Sequence, residues 1–340
     1  MAKLKTALVG CGLFGEIHLK AYASHERAEC VALYDINRQR ARQRAKQYGG
    51  RVARSLDEIA DDRSIRAVSI ATPDFAHTEV ALRLLEAGKH LLIEKPITTS
   101  TAEARQIIAA ARKARRTVMV DFHNHWNPAF AVAKERIETG ELGKPVMGYI
   151  RLSNPLSIPF GMLAWAGKSG PQWFLLPHTV DLMRWLIGKQ KALRVTAHAR
   201  REILRRRGAN TYDAIQATVV FEDCFATFET CWILPNSWPT LVDFQMSLVG
   251  SKSTIQVNCT DQGLLFAGPR RLETPLTAGI LEATGRPQGF MVMPIYHFVD
   301  CILAGKEPAT TAEDGLATTQ IIEAMVRSIE ERRTVEIEEI

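Results

Sequence analysis

The residues best suited to chemistry come early. Gly10-Cys11-Gly12-Leu13-Phe14-Gly15 is a G-x-G-x-x-G turn, preceded by an apolar run, Leu4 to Val9, and followed by a helix-compatible stretch, Glu16 to Ser24. A second apolar run, Cys30 to Tyr34, ends in Asp35, 20 residues past Gly15. Strand, turn, helix, strand and acid in that order make up a full dinucleotide-binding signature. Gly10 makes the turn, Gly12 lets the backbone reach the pyrophosphate, and Gly15 lets helix and strand pack closely. The helix N-terminus offers unpaired N–H groups and positive potential to the phosphates. Asp35 is expected to accept from the adenosine ribose hydroxyls. Its charge opposes the 2′-phosphate of NADP, so NAD is the expected cofactor. Arg38, just beyond, offsets that repulsion and keeps NADP open. Arg40, Arg42 and Arg44 read more simply as a solvated helix face.

Two later residues could handle a proton or a developing charge. Lys95 follows the apolar run Leu91 to Ile93 in Glu94-Lys95-Pro96. At that strand end it could aim an ammonium at a substrate oxygen near the nicotinamide; a surface lysine paired with Glu94 fits the position equally well. His178 opens a segment in which Leu182, Met183, Leu186 and Ile187 recur at helical spacing, with Pro177 suited to the first turn and Gly188 as the stop. The helix dipole disfavours an imidazolium there, leaving a neutral ring able to take a proton. On the residues alone, a hydrogen-bonded capping histidine is the simpler reading. Asp181, on the same helix, reads as an anchor.

His123 and His125, alternating on an extended segment, together with His178 raise the question of a metal. No Cys or acid is placed as a further ligand, so no metal is expected and polar pocket lining is the better reading. Trp126, Trp165, Trp173, Trp232 and Trp238 suit stacking on a ring substrate or core packing equally. Arg200-Arg201 and Arg205-Arg206-Arg207 fall between two predicted strands and read as a solvated loop. Without aromatic interleaving they do not indicate nucleic-acid binding.

The elements that must position these residues follow from pattern. A chain of 340 residues is long enough for two cores, since single cores rarely outgrow about 250–300 residues. With 46% hydrophobic and 24% charged residues it is not a disordered chain. A net charge of +6 suits anionic small molecules without demanding nucleic acid. The six cysteines show no C-x-x-C and no metal-type spacing, which fits a reduced, cytoplasmic protein. The first strand begins almost at once, so no signal peptide is expected, and no apolar run is long enough for a membrane span.

Up to Phe122, strands alternate with helices. Asn37 and Ser55 are positioned to cap helices, and Ser100-Thr101-Ala102-Glu103 has capping-box form. The expected fold is a parallel sheet covered on both faces, a Rossmann domain over residues 1–122. Thr72-Pro73, Glu94-Lys95-Pro96 and Phe122-His123 fall at its carboxyl edge, where ligands bind. From 123 to 340 an α+β domain with a large, mostly antiparallel open sheet is expected. It contains a hairpin through Glu222-Asp223-Cys224, an irregular stretch at 153–173, and a last helix capped at Thr310-Thr311-Ala312-Glu313.

The order of these motifs, with Ala71-Thr72-Pro73, His77, Gly88-Lys89-His90, Asn127-Pro128-Ala129-Phe130 and Gly140-Glu141-Leu142-Gly143-Lys144-Pro145, resembles the glucose–fructose oxidoreductase/inositol dehydrogenase/rhizopine-catabolism (Gfo/Idh/MocA) family over nearly the whole chain. The resemblance implies a NAD(P)-dependent oxidoreductase acting on a hydroxyl or carbonyl of a sugar, inositol or related cyclic polyol. It makes Lys95 the substrate-facing lysine, allows a cis Lys95–Pro96 bond, and makes His178 the catalytic base. It also implies a homodimer or homotetramer formed through the open sheet. Thr72, Pro73, His77 and Glu94 then join the glycine turn, Asp35, Arg38 and Lys95 around the cofactor, and Asn124, His125, Trp173 and Phe174 face the substrate. Two positions depart from the pattern: the family's arginine before the aromatic-x-Pro is His125 here, and its Asp four residues before the histidine is Phe174. The second departure leaves two rivals standing, a non-catalytic dinucleotide-binding regulator and an enzyme using transient oxidation for elimination or hydrolysis.

Overall fold

The structure is a computed structural model that describes residues 3–163, 165–267, 272–282 and 285–338. It divides into two compact units. One comprises 1–126 with 280–316, and the other 127–279 with 317–340.

The first unit is built from β1 (Leu4–Val9), α1 (Leu13–Ser24), β2 (Ala28–Tyr34), α2 (Arg38–Tyr48), β3 (Arg51–Val52), α3 (Leu56–Ala60), β4 (Ala67–Ile70), α4 (His77–Glu86), β5 (His90–Glu94), α5 (Thr101–Ala114) and β6 (Val118–Asp121). All five strand pairings are parallel, in the order β3-β2-β1-β4-β5-β6. This is the doubly wound order in which the chain reverses direction beside β1, opening a crevice above the glycine turn. β4 and β6 are buried at every position, as a sheet covered on both faces requires.

The helix starts obey local chemistry. Asn37 accepts from the Arg40 N–H at 3.1 Å, and Ser55 from the Glu58 N–H at 3.3 Å. Ser100 departs from expectation because its side chain makes no cap bond. Glu103 instead accepts from the hydroxyls of Thr78 at 2.7 Å and Thr98 at 2.5 Å, which compete successfully for the carboxylate. α1 begins three residues earlier than expected, because Leu13 and Phe14 of the glycine turn already take helical positions.

The expected division after Phe122 differs from the compact units, which give His123–Trp126 and residues 280–316 to the first. In that late segment, α10 (Met293–Ala304) packs Ile295, Phe298, Val299 and Ile302 with Leu4, Tyr22, Leu92 and Met119. The Thr310 hydroxyl donates to the Val120 carbonyl at 2.6 Å. Such contacts join residues far apart in sequence and leave no local periodicity to read.

The second unit holds α6 (Pro128–Glu138), β7 (Pro145–Ser153), α7 (Pro171–Phe174), α8 (Leu176–Leu186), β8 (Ala192–Arg200), α9 (Ile203–Arg206), β9 (Ala214–Phe221), β10 (Phe225–Cys231), β11 (Asp243–Gly250) and β12 (Thr254–Asn258). A small hairpin, β13 (Phe266–Ala267) with β14 (Leu272–Glu273), follows. α11 (Ala312–Glu331) runs from one unit into the other, and β15 (Val335–Glu336) joins the sheet edge. Thr311 caps α11: its hydroxyl accepts from the Asp314 N–H, and Asp314 accepts from the Thr311 N–H.

The sheet order is β12-β11-β7-β10-β9-β8-β15, antiparallel except for β7 with β10. β9 and β10 form the expected hairpin, with the Phe221 N–H donating to the Cys224 carbonyl. The stretch at 153–173 contains short helical turns at Ile158–Met162 and Ala166–Lys168 before α7.

The arginine-rich link between β8 and β9 is anchored by Asp213. Its buried carboxylate accepts three backbone N–H groups, from Glu202 at 2.6 Å, Ile203 at 2.9 Å and Leu204 at 2.8 Å. Asp213→Ala orphans all three donors and should destabilise the protein by about 2–3 kcal/mol, read as a lower urea midpoint at unchanged m-value.

Candidate functional site

In the first unit the glycine turn has the geometry its sequence asks for. Gly10 has a φ of +95°, which favours glycine, and a Cβ there would overlap the Ala71 carbonyl. A Cβ on Gly15 would overlap the Gly10 carbonyl oxygen, so helix and turn approach as closely as backbone allows. Gly12 differs, because a Cβ there would meet nothing within 4 Å. Gly12 also brings no side chain to cap α1, so the first-turn N–H groups point into that open space. Beside Gly10, Thr72 carries a buried hydroxyl that has no hydrogen-bond partner. Open space, uncapped donors and an orphaned hydroxyl together fit a dinucleotide's phosphates.

Asp35 follows directly on β2 and is 6% exposed. Its carboxylate accepts from the Cys11 N–H at 2.8 Å and the Asn37 N–H at 2.7 Å, so it also braces the turn. Arg40, expected only to be solvated, comes within 3.5 Å of Asp35. Arg44 pairs with Glu16 at 2.5 Å, and Tyr48 donates to the same Glu16 carboxylate. Arg38 instead donates to the Arg54 carbonyl at 3.4 Å. The arginine that approaches the acid is therefore two positions further along than the sequence reading chose. Two residues along α2 are about 200° of rotation, so Arg38 and Arg40 leave the helix on nearly opposite sides.

At the carboxyl edge, His77 ties two loops together, one ring nitrogen 2.8 Å from the Pro96 carbonyl and the other 2.9 Å from the Thr72 carbonyl. The Lys95–Pro96 bond is cis. Lys95 is 5% exposed, which rules out the surface-lysine reading. Its ammonium lies 5.6 Å from the centre of the Phe14 ring. Burial pushes its pKa below the usual lysine range, opposed by the charges of Glu94, Asp74 and Asp121. Glu94 itself faces His18, at 3.2 Å. Burial works to raise Glu94, but the hydrogen bond from His18 and the nearby charges outweigh it and hold the carboxyl below its usual range. His123, Asn124 and His125 form one buried helical turn after β6, not the extended segment expected, so the two histidines do not share a strand face. Burial lowers the His123 pKa to about 4, so this ring stays neutral near pH 7.

In the second unit His178 lies in the first turn of α8 with Pro177 before it, and it is 9% exposed. Asp181 is buried on the same helix. Phe174 packs between two tryptophans, its ring centre 6.0 Å from that of Trp165 and 5.7 Å from that of Trp232. Trp173 is half-buried against the same core. The departure from the acidic pattern at 174 is thus accommodated by aromatic packing. Pro171–Phe174 form their own short helix leading into α8.

Sequence reasoning missed His18, Ser69, Tyr22 and Asp121, which gather around Glu94. Two signals were available. His18 lies on the buried face of α1 between Ile17 and Leu19, and Asp121 ends an apolar strand as Glu94 does. A separate cleft of about 910 Å³ lies between the starts of β4 and β5, lined by Arg63, Arg66, Lys89 and Arg116 among others. It is at the opposite end of the strands from the glycine turn, and Lys89 there is held by the carbonyls of Asp62 and Ile65.

The parallel sheet and its glycine turn define a dinucleotide-binding protein. The chain belongs to the Gfo/Idh/MocA oxidoreductase family: residues 4–122 match its NAD-binding Rossmann fold, and residues 134–337 its C-terminal alpha/beta domain. It is 26% identical to D-apiose dehydrogenase of Paraburkholderia graminis, over 99% of this chain and 91% of that protein. It is 27% identical to inositol 2-dehydrogenase of Rhizobium meliloti, over 98% of this chain and 99% of that one. The fold matches a levoglucosan dehydrogenase solved with NADH and levoglucosan at a TM-score of 0.83, with 24% identity over 99% of this chain and 100% of that one.

Proposed function

We propose that this chain is a NAD-dependent dehydrogenase acting on a hydroxyl carbon of a sugar, inositol or related cyclic polyol. The observation that carries this reading is Lys95, a buried ammonium at the carboxyl edge beside the glycine turn, in a family of NAD-binding oxidoreductases. The named relatives act on such substrates. Gly10, Gly12, Leu13, Phe14, Gly15, Thr72 and Pro73 would hold the cofactor's phosphates and adjoining groups, and Asp35 the ribose. His77 would act on the cofactor through the two loops it braces, and Glu94, paired with His18 on α1, by supporting the helix that opens at the glycine turn. Bound NAD supplies the hydride acceptor. His178 takes the substrate hydroxyl proton at its ring nitrogen. Lys95 donates a hydrogen bond to a substrate oxygen and stabilises negative charge that develops on it. Asn124, His125, Trp173 and Phe174 would position the ring of the substrate.

Arg40 near Asp35 partly offsets its charge, yet the carboxylate stays fixed between the Cys11 N–H of the turn and the Asn37 N–H, and its negative charge beside the ribose position favours NAD over NADP. A titration with each cofactor should show tighter binding of NAD. A sugar and polyol screen on the NAD complex should then give steady NADH release; no release with any of them would overturn the dehydrogenase reading. The aromatic residue at 174 favours one alternative, transient oxidation without net cofactor change, which the same screen reports as product formed without NADH. The open sheet face, with Tyr149 bonded to Glu229 and Thr218 to Thr227, supports a dimer or tetramer, testable by sedimentation. Six unpaired cysteines support a reducing compartment such as the cytoplasm, and no described helix is long and apolar enough to cross a membrane.

A further inference from the structure

Beneath Lys95 lies a set of polar groups that the proposed reaction does not use. Glu94 and Asp121 are register partners on the neighbouring parallel strands β5 and β6. His18 on α1 reaches both, its Nε2 3.2 Å from Glu94 Oε1 and 3.6 Å from Asp121 Oδ2. Its Nδ1 is 3.0 Å from Ser69 Oγ on β4, which is 2.6 Å from the Tyr22 hydroxyl. All five residues are buried.

Counting protons fixes the direction of this chain. If Tyr22 donates to Ser69, Ser69 to Nδ1 and Nε2–H to Glu94, every proton has an acceptor. The reverse direction would leave the Tyr22 hydroxyl proton with no acceptor among the described residues. The ring then has one proton to offer two carboxyls, and the nearer, Glu94, receives it. Asp121 Oδ1 has no hydrogen-bond partner and is 2% exposed. An ionised carboxylate in that position, beside a second one, would be strongly unfavourable.

We propose that Glu94 and Asp121 share a single negative charge, with the proton on Asp121, and that Asp121 is a positioning residue governing how firmly Lys95 keeps its own proton. The catalytic consequence rests on the reading of Lys95 given above. Burial and the Glu94 charge both raise the Asp121 pKa, in agreement with the geometry. The titratable groups around Lys95 are Glu94, Asp74 and Asp121, with His123 from the turn after β6, whose ring is neutral near pH 7. α10 packs on β5 and β6, but its charged groups are engaged elsewhere: Asp300 pairs with Arg27 and His25, and His297 accepts from the Ala309 N–H. The His18, Glu94 and Asp121 ligand atoms lie within 4.8 Å of one another, a spacing a metal ion would accept. The adjacent ammonium and the completed Tyr22–Ser69–His18 chain favour a proton instead.

The first test compares the wild type with a single variant. Infrared spectra of wild-type protein with isotope-labelled aspartate carboxyls should show, at neutral pH, an isotope-shifted carboxylic-acid C=O stretch, and Asp121→Asn should remove it. Only ionised carboxylate bands in the wild type, or a stoichiometric metal in the purified protein, would overturn the proposal. The second test follows the Lys95 side-chain NMR signal with pH. As pH rises Asp121 ionises and holds the Lys95 proton. Asp121→Asn lacks that charge and should lower the Lys95 midpoint by about one pH unit, with Asp121→Glu restoring it. An unmoved midpoint would also overturn the proposal. If the midpoint moves but the alkaline limb of kcat/KM does not follow, the pair stands and the catalytic reading of Lys95 fails.

Discussion

Lys95→Ala is expected to lower kcat by about three orders of magnitude while leaving the affinity for NAD near that of the wild type. The size follows from what is removed, a preorganised cationic donor in a water-poor site, where such donors stabilise developing negative charge most effectively. Affinity is spared because the pyrophosphate is held by backbone at the glycine turn. The same ammonium balances Glu94 within the sheet, so Lys95→Ala also leaves a buried carboxylate short of its counter-charge. A lower Tm is expected with it, and NAD binding should be measured well below that Tm. The pH profile supplies a second signature. Burial lowers the Lys95 pKa, so the ammonium form, and with it activity, should be lost on the alkaline side at a pH below the ordinary lysine value. Lys95→Arg cannot lose its proton and should abolish that limb at much reduced kcat. Turnover near wild type in Lys95→Ala would end the assignment.

Gly12→Ala should raise the Kd for NAD by about 100-fold, roughly 2.7 kcal/mol, with an unchanged Tm. Its added methyl meets no protein atom, so the fold has no reason to respond. The methyl does occupy the space above the α1 N-terminus into which the phosphates must fit. Gly10→Ala provides the contrast. Its positive φ and the overlap with the Ala71 carbonyl put strain into the turn itself, so it should lose about 3 kcal/mol of stability along with cofactor binding. Isothermal titration with NAD and thermal melts on both variants separate the two effects. If Gly12→Ala bound NAD normally, the phosphates would have to sit elsewhere.

Local signals carried much of the architecture. Gly10, Gly12, Gly15 and the Asn37 and Ser55 caps act within a few residues of themselves, and each behaves as its type and spacing indicate. Apolar runs located most of the strands, and the alternation of strand and helix distinguished the parallel sheet from the antiparallel one. The departures share a cause. Arg40 rather than Arg38 approaches Asp35, and Glu103 turns to Thr78 and Thr98 instead of Ser100, because three-dimensional neighbours outcompete sequence neighbours. His18 and Asp121 look like isolated polar residues until α1 and β6 meet around Glu94. At Phe174 the motif predicted an acid, and only the edge-on contact with Trp165 and the tilted contact with Trp232 show what the aromatic ring does instead.

The late segment carrying α10 has a consequence for synthesis on the ribosome. Ile295, Phe298 and Val299 cover an apolar strip formed by Leu4, Tyr22, Leu92 and Met119, and they emerge only after most of the chain has been translated. Until then the nascent nucleotide-binding half displays a sticky surface, a natural docking point for chaperones. Expressed alone, residues 1–122 should accumulate in inclusion bodies.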